Sequence, residues 1–351
     1  MDLSLFSYSL PKELIAIKPA EPRDSANLLV YDRLNTKITH TLFNGIADFF
    51  SKGDVLVLNN TKVIPARLIG KFIHSDGMLG RKFKILLLEK KTTDTWTCLI
   101  DGKGREAGLE IDFSGLKGTV SKRIGGGIWE IKFNKKGKIL EKMIFKIGQM
   151  PLPPYIKQDG YKKENKEWYQ PVFAKYAGSV AAPTASLHFT KKLLEKLKNK
   201  GVKIEYITLH VGMGTFMPVK TKKIEDHKMH KELAVVLPKT AKVLNLAKKN
   251  GGKIVACGTT AARALESFAS GEKVRPGKKY TNIFIYPPKK LKILNALITN
   301  FHLPESSLLM LVSAFLSPGK KDGIKILKNI YGAAIQKKYR FYSYGDAMLI
   351  L

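Results

Sequence analysis

The spacing of apolar residues changes along the chain. Between Ala66 and Lys146, apolar and polar residues alternate in short runs, as in Trp96, Cys98 and Ile100, and glycines separate the runs. A period of two with frequent turns is typical of short antiparallel strands. This segment is therefore predicted to form a small antiparallel β-barrel.

The C-terminal half shows a longer period. Phe189, Leu193 and Leu197 recur at the spacing of one helix face, and the apolar runs 203–209 and 253–257 each follow a helical segment. Alternating helices and strands predict a parallel sheet with crossover helices. The fold class is thus predicted as α/β.

The domain organisation follows from this change of period. The apolar run 54–58 predicts a sheet strand before the barrel, and the proline-rich segment 151–154 marks a rigid junction after it. We predict one large α/β domain with a parallel-type sheet, formed by residues 1–65 and 147–351. The small barrel domain, residues 66–146, is inserted into it.

Polar clusters interrupt the apolar runs near the C-terminus. Thr299, Asn300 and His302 follow a strand-like run and precede Pro304, which is expected in the first turn of an apolar helix. Burying such side chains is costly unless each has a partner. Open α/β sheets bind ligands at the carboxyl ends of their strands. A network that only braces the bend is the alternative, but apolar residues would serve packing alone.

Two further clusters have the same character. His188 follows Pro183 and Thr184 at the entry to a helix, where either a ligand contact or a helix cap is possible. His210 ends a strand, and its glycine-rich continuation allows close backbone approach. That continuation supplies the candidate binding residues Gly212, Gly214, Thr215 and Phe216. Phe216 could stack on a planar ring of a ligand, although an aromatic residue there is more often core.

A fourth cluster begins a helix. Thr259 and Thr260 follow Gly258, which suggests a cradle for a carboxylate or another anion, with simple capping as the alternative. Arg263 and Glu266 follow three residues apart and are either site residues or a surface pair. His230 is a further candidate site residue, but it has no set of three ligands with fixed geometry around it, so no metal site is predicted.

The charge adds a partner to this picture. Lys and Arg number 61 against 29 for Asp and Glu, a net charge of +32. Such a field attracts polyanions, although AT-rich codons account for part of the lysine excess. Cys98 and Cys257 lie far apart in strand-like runs, and no apolar stretch approaches the ~18 residues of a membrane span. A cytoplasmic protein with a nucleic-acid partner is expected.

The order of several motifs resembles one enzyme family. The chain carries YSLP at 8–11, LNNTKVIPAR at 58–67, MPLPPY at 150–155, LHVGMGTF at 209–216 and TNFHLP at 299–304. Together with the tail 339–350, these resemble the S-adenosylmethionine:tRNA ribosyltransferase-isomerase family of queuosine biosynthesis essentially end to end. The resemblance also implies the same two-domain arrangement.

The resemblance implies a reaction at the wobble position of tRNA. The ribosyl part of S-adenosylmethionine would be transferred to 7-aminomethyl-7-deazaguanine and isomerised, giving epoxyqueuosine, adenine and methionine. S-adenosylmethionine would be a co-substrate, and neither another cofactor nor a metal is expected. The chain is expected to be a monomer without membrane contact. Neutral histidines and amides suit proton transfer beside a sulfonium better than a carboxylate cluster.

The candidate residues fall into three groups. The predicted catalytic residues are His188, His210, Asn300 and His302. The predicted substrate-binding residues are Pro183, Thr184, Gly212, Gly214, Thr215, Phe216, His230, Thr259, Thr260, Arg263, Glu266 and Thr299. The predicted tRNA-binding residues are Arg23, Asn59, Lys62, Arg67, Arg340, Tyr342 and Tyr344. The first four tRNA-binding candidates suit either phosphate contact or domain bracing. The tail residues suit either RNA stacking or a terminal strand.

Two alternatives and several departures accompany this reading. An S-adenosylmethionine-dependent tRNA methyltransferase would need a glycine-rich first βα turn followed by an acidic residue, which is not evident, and a non-catalytic RNA-binding protein would not need the polar clusters. The family pattern usually has Arg at Asn27, Asp at Asn295, Gly at Ser186, Thr at Pro171 and Glu at Lys84. Asn295 is expected to remove a carboxylate beside the pocket.

Overall fold

The protein is described by a computed structural model covering residues 1–74, 76–102, 104–156, 164–212, 214 and 219–351. The strands of the first half are β1 (Asn27–Asp32), β2 (Lys37–Leu42), β3 (Val55–Asn59), β4 (Thr61–Val63), β5 (Arg67–Ile73), β6 (Leu79–Lys90), β7 (Thr95–Asp101), β8 (Glu110–Asp112), β9 (Lys117–Gly125) and β10 (Ile128–Phe133). The strands of the second half are β11 (Tyr176–Ser179), β12 (Lys203–Leu209), β13 (Glu232–Val236), β14 (Ile254–Cys257), β15 (Ala269–Ser270), β16 (Lys273–Val274), β17 (Gly277–Thr281), β18 (Ala296–Asn300) and β19 (Ala347–Ile350). The α-helices are α1 (Gly137–Ile147), α2 (Asn165–Trp168), α3 (Lys191–Asn199), α4 (Pro238–Lys249), α5 (Gly258–Ser267), α6 (Ser307–Leu316) and α7 (Gly323–Gln336).

Nine strands form the main sheet, in the order β17-β13-β12-β3-β14-β18-β19-β1-β2. The central strands β12, β3, β14 and β18 are parallel, with Leu56 opposite both Ile204 and Val255. β19 is antiparallel to β18 and parallel to β1, while β2, β13 and β17 are antiparallel to their neighbours. The predicted α/β fold is confirmed, and its outer strands make the sheet mixed.

The central strands are buried on both faces, which explains their unbroken apolar runs. On β3, Val55 and Val57 face one core, whereas Leu56 and Leu58 face the other. Helices α4 to α7 cover the first core. Helix α3 and the 3₁₀ turn Phe43–Phe49 cover the second. The sheet therefore has helices on both faces, so its ligands are expected at a strand edge.

A closed barrel of six strands, β10-β7-β6-β5-β8-β9, forms the second unit. Its alternation is the predicted one, with Phe83, Ile85 and Leu87 of β6 pointing into the barrel core. Leu140 and Ile144 of α1 complete that core. The predicted antiparallel barrel is thus confirmed, and its strands lie inside residues 66–146. The domain boundaries themselves stay a prediction.

Helix starts differ from the predicted ones. α6 begins at Ser307, and the Ser306 hydroxyl caps it by accepting from the Leu309 backbone N–H at 3.2 Å. The expectation that Pro304 lies in the first turn is wrong, because Glu305 has a φ of 57°, outside the helical region. Similarly, Thr190 caps α3 by accepting from Leu193 at 3.1 Å, so neither Thr184 nor His188 is that cap.

Candidate active site

The carboxyl ends of the four central strands meet at one edge of the sheet. Because these strands are parallel, His210 after β12, Asn59 at the end of β3, Gly258 after β14 and Asn300 at the end of β18 come together there. Asn300 pairs with Ala347, so the segment before β19 reaches the same edge. Polar residues that are distant in sequence therefore converge at a single edge.

An open cleft with about 650 Å³ of empty space, part of it continuous with solvent, lies at this edge. The described residues around it come from the junction, the turn before α3, the start of α5, the bend after β18 and the tail. They are Tyr155, Ala182, Pro183, Thr184, Ala185, Gly258, Thr259, Thr260, Thr299, Asn300, Phe301, His302, Leu303, Ser306, Leu308, Tyr342 and Ser343. Hydroxyl, amide and imidazole groups thus supply its polar surface.

Asn300 is the centre of one buried network. Its Oδ1 accepts from the Thr184 hydroxyl at 2.8 Å, and its Nδ2 lies 3.5 Å from the Asp346 backbone carbonyl. Nδ2 also lies 3.3 Å from Nε2 of His188, which orients that nitrogen as an acceptor. Burial lowers the pKa of His188 to about 4, against the raising effect of Asp346, so the ring is neutral at pH 7.

His302 belongs to a second network. Its Nε2 lies 2.7 Å from the Thr299 hydroxyl, its backbone N–H donates to the Tyr331 hydroxyl at 2.9 Å, and its carbonyl accepts from the Tyr8 hydroxyl. Burial lowers the pKa of His302 to about 3. The bend after β18 is therefore fixed through its backbone, and it presents a neutral imidazole to the cleft.

Asp346 is a buried residue of the tail that is not among the predicted site residues. Its carboxylate accepts from the Asn27 backbone and side-chain N–H groups, both at 3.1 Å. It also accepts from the Arg340 backbone N–H at 2.8 Å and from the Arg340 guanidinium at 2.9 and 3.2 Å. Asn27, one of the departures from the family pattern, is thus part of this cluster. A single acidic residue between the aromatic tail and an apolar strand was the available signal.

His210 occupies the neighbouring strand end. Its Nδ1 lies 2.8 Å from the Thr61 hydroxyl, and its ring packs against Gly178, where a β-carbon would approach the ring within 3.0 Å. Partial burial, and then the charge of Lys278, lower its pKa from 6.5. His210 keeps some exposure, so its ring can exchange protons with solvent.

Asn59 connects His210's strand to the cleft. Its Nδ2 donates to the Leu209 carbonyl at 3.0 Å and to the Thr260 hydroxyl at 3.2 Å, while its Oδ1 accepts from the backbone N–H groups of Thr61 and Leu209. Its side chain is fully buried. Asn59 therefore braces the strand ends, and its side chain does not reach the solvent-exposed surface.

Arg263 pairs with Glu232 inside the protein. The guanidinium lies 2.7 Å from the carboxylate, both side chains are 3% exposed, and Glu232 also accepts from the Gly212 backbone N–H at 3.1 Å. Arg263 thus holds Glu232 in the position from which it binds Gly212, shortly after β12. Glu266 accepts from the Lys292 and Ile293 backbone N–H groups, and the structure does not bring it to the cleft.

The remaining predicted substrate-binding residues divide three ways. Pro183, Thr184, Thr259, Thr260 and Thr299 line the cleft. His230 is exposed, with its ring against Gly214. Thr215 and Phe216 lie outside the described residues.

Most of the predicted tRNA-binding residues make internal bonds. Arg23 donates to the carbonyls of Gln170 and Glu167, and Arg67 donates to the Leu152 carbonyl at 3.1 Å. Arg340 pairs with Asp346, and Tyr344 is buried. Tyr342 lines the cleft, and the Lys62 ammonium lies 5.8 Å from the centre of the Phe145 ring.

Asn295 lies at the opposite end of β18 from the cleft. It is exposed, and its Oδ1 accepts from the Ile254 backbone N–H at 2.9 Å. Five residues of strand span roughly 16 Å. The expectation that Asn295 removes a carboxylate beside the pocket is therefore wrong.

The described residues contain neither a metal-binding cluster nor a membrane-spanning helix. No group of three or more His, Cys, Asp or Glu side chains there is arranged to hold a metal ion. None of the helices in the same part of the chain is long and apolar enough to cross a membrane. Cys98 and Cys257 are both buried and free.

Comparisons with known proteins agree with one another. The family model described as "Queuosine biosynthesis protein" matches residues 3–350. Proteins named S-adenosylmethionine:tRNA ribosyltransferase-isomerase from Caldanaerobacter subterraneus and Acetivibrio thermocellus are each 46% identical over the full length of both chains. A crystal structure of S-adenosylmethionine tRNA ribosyltransferase from Thermotoga maritima is 35% identical, with 99% of this chain and 100% of that chain covered and a TM-score of 0.57. The chain therefore belongs to the queuosine biosynthesis protein family, the enzyme family of the S-adenosylmethionine:tRNA ribosyltransferase-isomerases.

Proposed function

We propose that this chain transfers the ribosyl part of S-adenosylmethionine to 7-aminomethyl-7-deazaguanine at the tRNA wobble position. The ribose is isomerised in the reaction, so the products are epoxyqueuosine in tRNA, adenine and methionine. The names of the relatives support the donor and the acceptor class. The observation that carries the proposal is the cleft at the strand ends, where Asn300, His302 and four threonine hydroxyls offer uncharged polar groups.

The reaction needs uncharged groups around a cation. The sulfonium charge of the donor acidifies the neighbouring carbon, and an opposite charge held next to the sulfonium would weaken that effect. A buried histidine with a low pKa stays neutral beside such a cation. The pKa values of about 3 for His302 and about 4 for His188 meet this requirement.

The same low values limit what these two histidines do. General bases work best when their pKa is near the operating pH, so His302 and His188 are weak proton acceptors. We assign His302 to hydrogen bonding with the substrate and His188 to positioning Asn300. His210, which is half-exposed and oriented by Thr61, is the assigned proton-transfer group. His210 follows β12, the neighbour of β3 in the sheet, and Asn59 at the end of β3 contacts Thr260 in the cleft. This position near the cleft supports the assignment.

The products distinguish this function from the alternatives. The purified chain would be incubated with S-adenosylmethionine and with tRNA carrying 7-aminomethyl-7-deazaguanine. Equal release of adenine and methionine, with a gain in tRNA mass that excludes adenine, is expected. S-adenosylhomocysteine as the product would identify a methyltransferase instead. Tight RNA binding without any product would leave only an RNA-binding protein.

The assignment of His210 has its own test. His210→Gln should reduce kcat by roughly 10² or more, because general acid–base catalysis contributes that much. The variant should also lose the acid limb of the pH–rate profile, whereas the residual rate of His302→Gln should keep that limb. An unchanged acid limb in His210→Gln would overturn the assignment and leave the overall reaction intact.

A further inference from the structure

One face of the outer sheet is only partly covered. β13 and β17 form this edge next to β12. Leu233 and Val235 of β13 are half-buried on this face, whereas Ala234 and Val236 pack into the core under α4 and α5 on the other. On the Leu233 side, α3 packs against β12. An apolar sheet surface that remains accessible at an edge is typical of an interaction surface.

The edge strand β17 adds basic and aromatic side chains to this apolar surface. Lys278 lies opposite Val235 and Tyr280 lies opposite Leu233, and Tyr280 is 57% exposed. Lys279 points to the other face, where its ammonium lies 4.6 Å from the centre of the Phe268 ring. The alternation of the strand therefore places Lys278 and Tyr280 together on the partly covered face.

The face continues towards the candidate active site. The His210 backbone N–H donates to the Leu233 carbonyl at 3.0 Å. His210 therefore lies beside Leu233 on one side, and Tyr280 lies opposite Leu233 on the other. Lys175 and Tyr176 are anchored beside it, since their backbone N–H groups donate to the Asn60 carbonyl at 2.8 and 3.3 Å. Tyr176 is 42% exposed, and the Lys175 ammonium lies 5.3 Å from its ring centre.

We propose that this surface binds the unpaired nucleotides that flank the modified base in the tRNA loop. We call it the platform and define it as Leu233, Val235, Lys278 and Tyr280 with Lys175 and Tyr176. The proposal rests on the proposed function and specifies where its RNA substrate lies. Aromatic faces stack on any nucleobase, and neighbouring lysines neutralise the phosphates between the bases.

Charge and distance favour this occupant. The net charge of +32 suits a polyanion, and both lysines of the platform are exposed. The platform strands β13 and β17 lie three and four strand spacings from β14, which leads into the cleft, or roughly 14 and 19 Å. Those spans are short enough for one RNA loop to place its target base in the cleft and its neighbours on the platform. Arg23, Arg67 and Arg340, by contrast, already make internal bonds.

The test compares RNA affinities of the full chain and its variants. The probe is an anticodon stem-loop RNA, measured by fluorescence anisotropy at several salt concentrations. Tyr280→Ala should bind about tenfold to a hundredfold more weakly, as expected for one lost stacking contact. Its slope of log affinity against log salt should stay unchanged. Lys278→Ala should lower that slope by about 0.7, the value for one phosphate on a single strand.

Matched variants separate stacking from bracing. The Tyr280 hydroxyl donates to Glu89 of the barrel at 3.2 Å, so Tyr280 also contacts the second unit. Tyr280→Phe keeps the ring and loses that bond, and it should bind RNA like the wild type. Lys279→Ala, on the opposite face of the same strand, should leave the salt slope closer to wild type than Lys278→Ala does.

Several results would overturn the platform. Tyr280→Ala could bind RNA as tightly as the wild type, or Tyr280→Phe could lose as much RNA affinity as Tyr280→Ala. Tyr280→Ala could also change only the oligomeric state. Failure of the proposed function is separable, because adenine release is measured in parallel. Wild-type turnover with an unaffected Tyr280→Ala variant removes the platform alone. If RNA binding depends on the platform but no adenine is released, only the proposed reaction is refuted. If the wild-type chain does not bind RNA, both the reaction and the platform are refuted.

Discussion

Replacing Asn300 by aspartate should give His188 a charge that the wild-type protein excludes. In the wild type, the Asn300 amide nitrogen lies 3.3 Å from Nε2 of His188, and burial holds the pKa of that histidine at about 4. Asn300→Asp puts an acceptor oxygen in place of that nitrogen. The Thr184 hydroxyl, 2.8 Å from the other end of the amide, can still donate, so the side chain keeps its orientation.

The magnitude follows from the separation. Two unit charges 3.3 Å apart interact by about 5 kcal/mol at an effective dielectric constant of ~20. At 1.36 kcal/mol per pKa unit, this raises the pKa of His188 from about 4 to roughly 7 or 8. His188 should therefore be largely protonated at pH 6 in Asn300→Asp and neutral at the same pH in the wild type.

The measurement is an NMR titration of ¹⁵N-labelled histidine nitrogens between pH 5 and 9, with His188 assigned by its loss in His188→Gln. Asn300→Ala removes the amide without adding charge, so its His188 should stay neutral across the range. A neutral His188 in Asn300→Asp at pH 6 would refute the reasoning. It would mean that the amide does not face the ring or that the new carboxyl keeps its own proton. Both Asn300 variants should lose most turnover.

Three further predictions concern stability and the family departures. His188 and His302 have folded pKa values of about 4 and about 3, below the unfolded 6.5, so the unfolded state binds more protons as pH falls through this window. The contribution of these histidines to the free energy of unfolding should be complete above pH 6.5. Below pH 6.5 it should fall by about 1.4 kcal/mol per histidine for each pH unit, down to the folded pKa values. Urea unfolding of the wild type and of His188→Gln measures this fall. Asp346→Ala should cost roughly 3 kcal/mol in the same assay, because it removes a buried carboxylate that accepts five hydrogen bonds, whereas Asp322→Ala, which loses an exposed carboxylate, should cost clearly less. Asn295→Asp should leave kcat and KM within about twofold in a turnover assay, since a carboxylate accepts from Ile254 equally well at a distance of roughly 16 Å from Asn300.

The predictable part of the fold is the part that burial alone determines. The barrel strands alternate because one face of each packs inward, as Phe83 and Ile85 do, so their period of two is visible in the sequence. The central strand β3 is apolar throughout because both of its faces are covered. Thr299, Asn300 and His302 stood out because polar groups in such a run need partners.

The less predictable part depends on contacts between distant residues. Asp346 joins Asn27 across 319 positions, and the Arg23 and Arg67 guanidinium groups bond carbonyls 147 and 85 residues away. Nothing local distinguishes such an arginine from one that binds phosphate. The platform was missed for a related reason. Tyr280 lies on a short edge strand, and only the register with β13 shows which face its side chain occupies.

The handling of charge in the cleft also follows from the proposed chemistry. Among the described residues that line it, no side chain is a carboxylate, and the nearby Asp346 is bound by Asn27 and Arg340. A free carboxylate there would stabilise the sulfonium substrate, and that stabilisation would be lost as the positive charge disappears in the reaction. Only interactions that are stronger in the transition state than in the ground state increase the rate. A free carboxylate would also raise the pKa of His188, so that the ring would take up a proton, as is expected in Asn300→Asp. Binding Asp346 internally thus keeps the edge structurally fixed while the cleft stays uncharged, which is the condition that the ribosyl transfer requires.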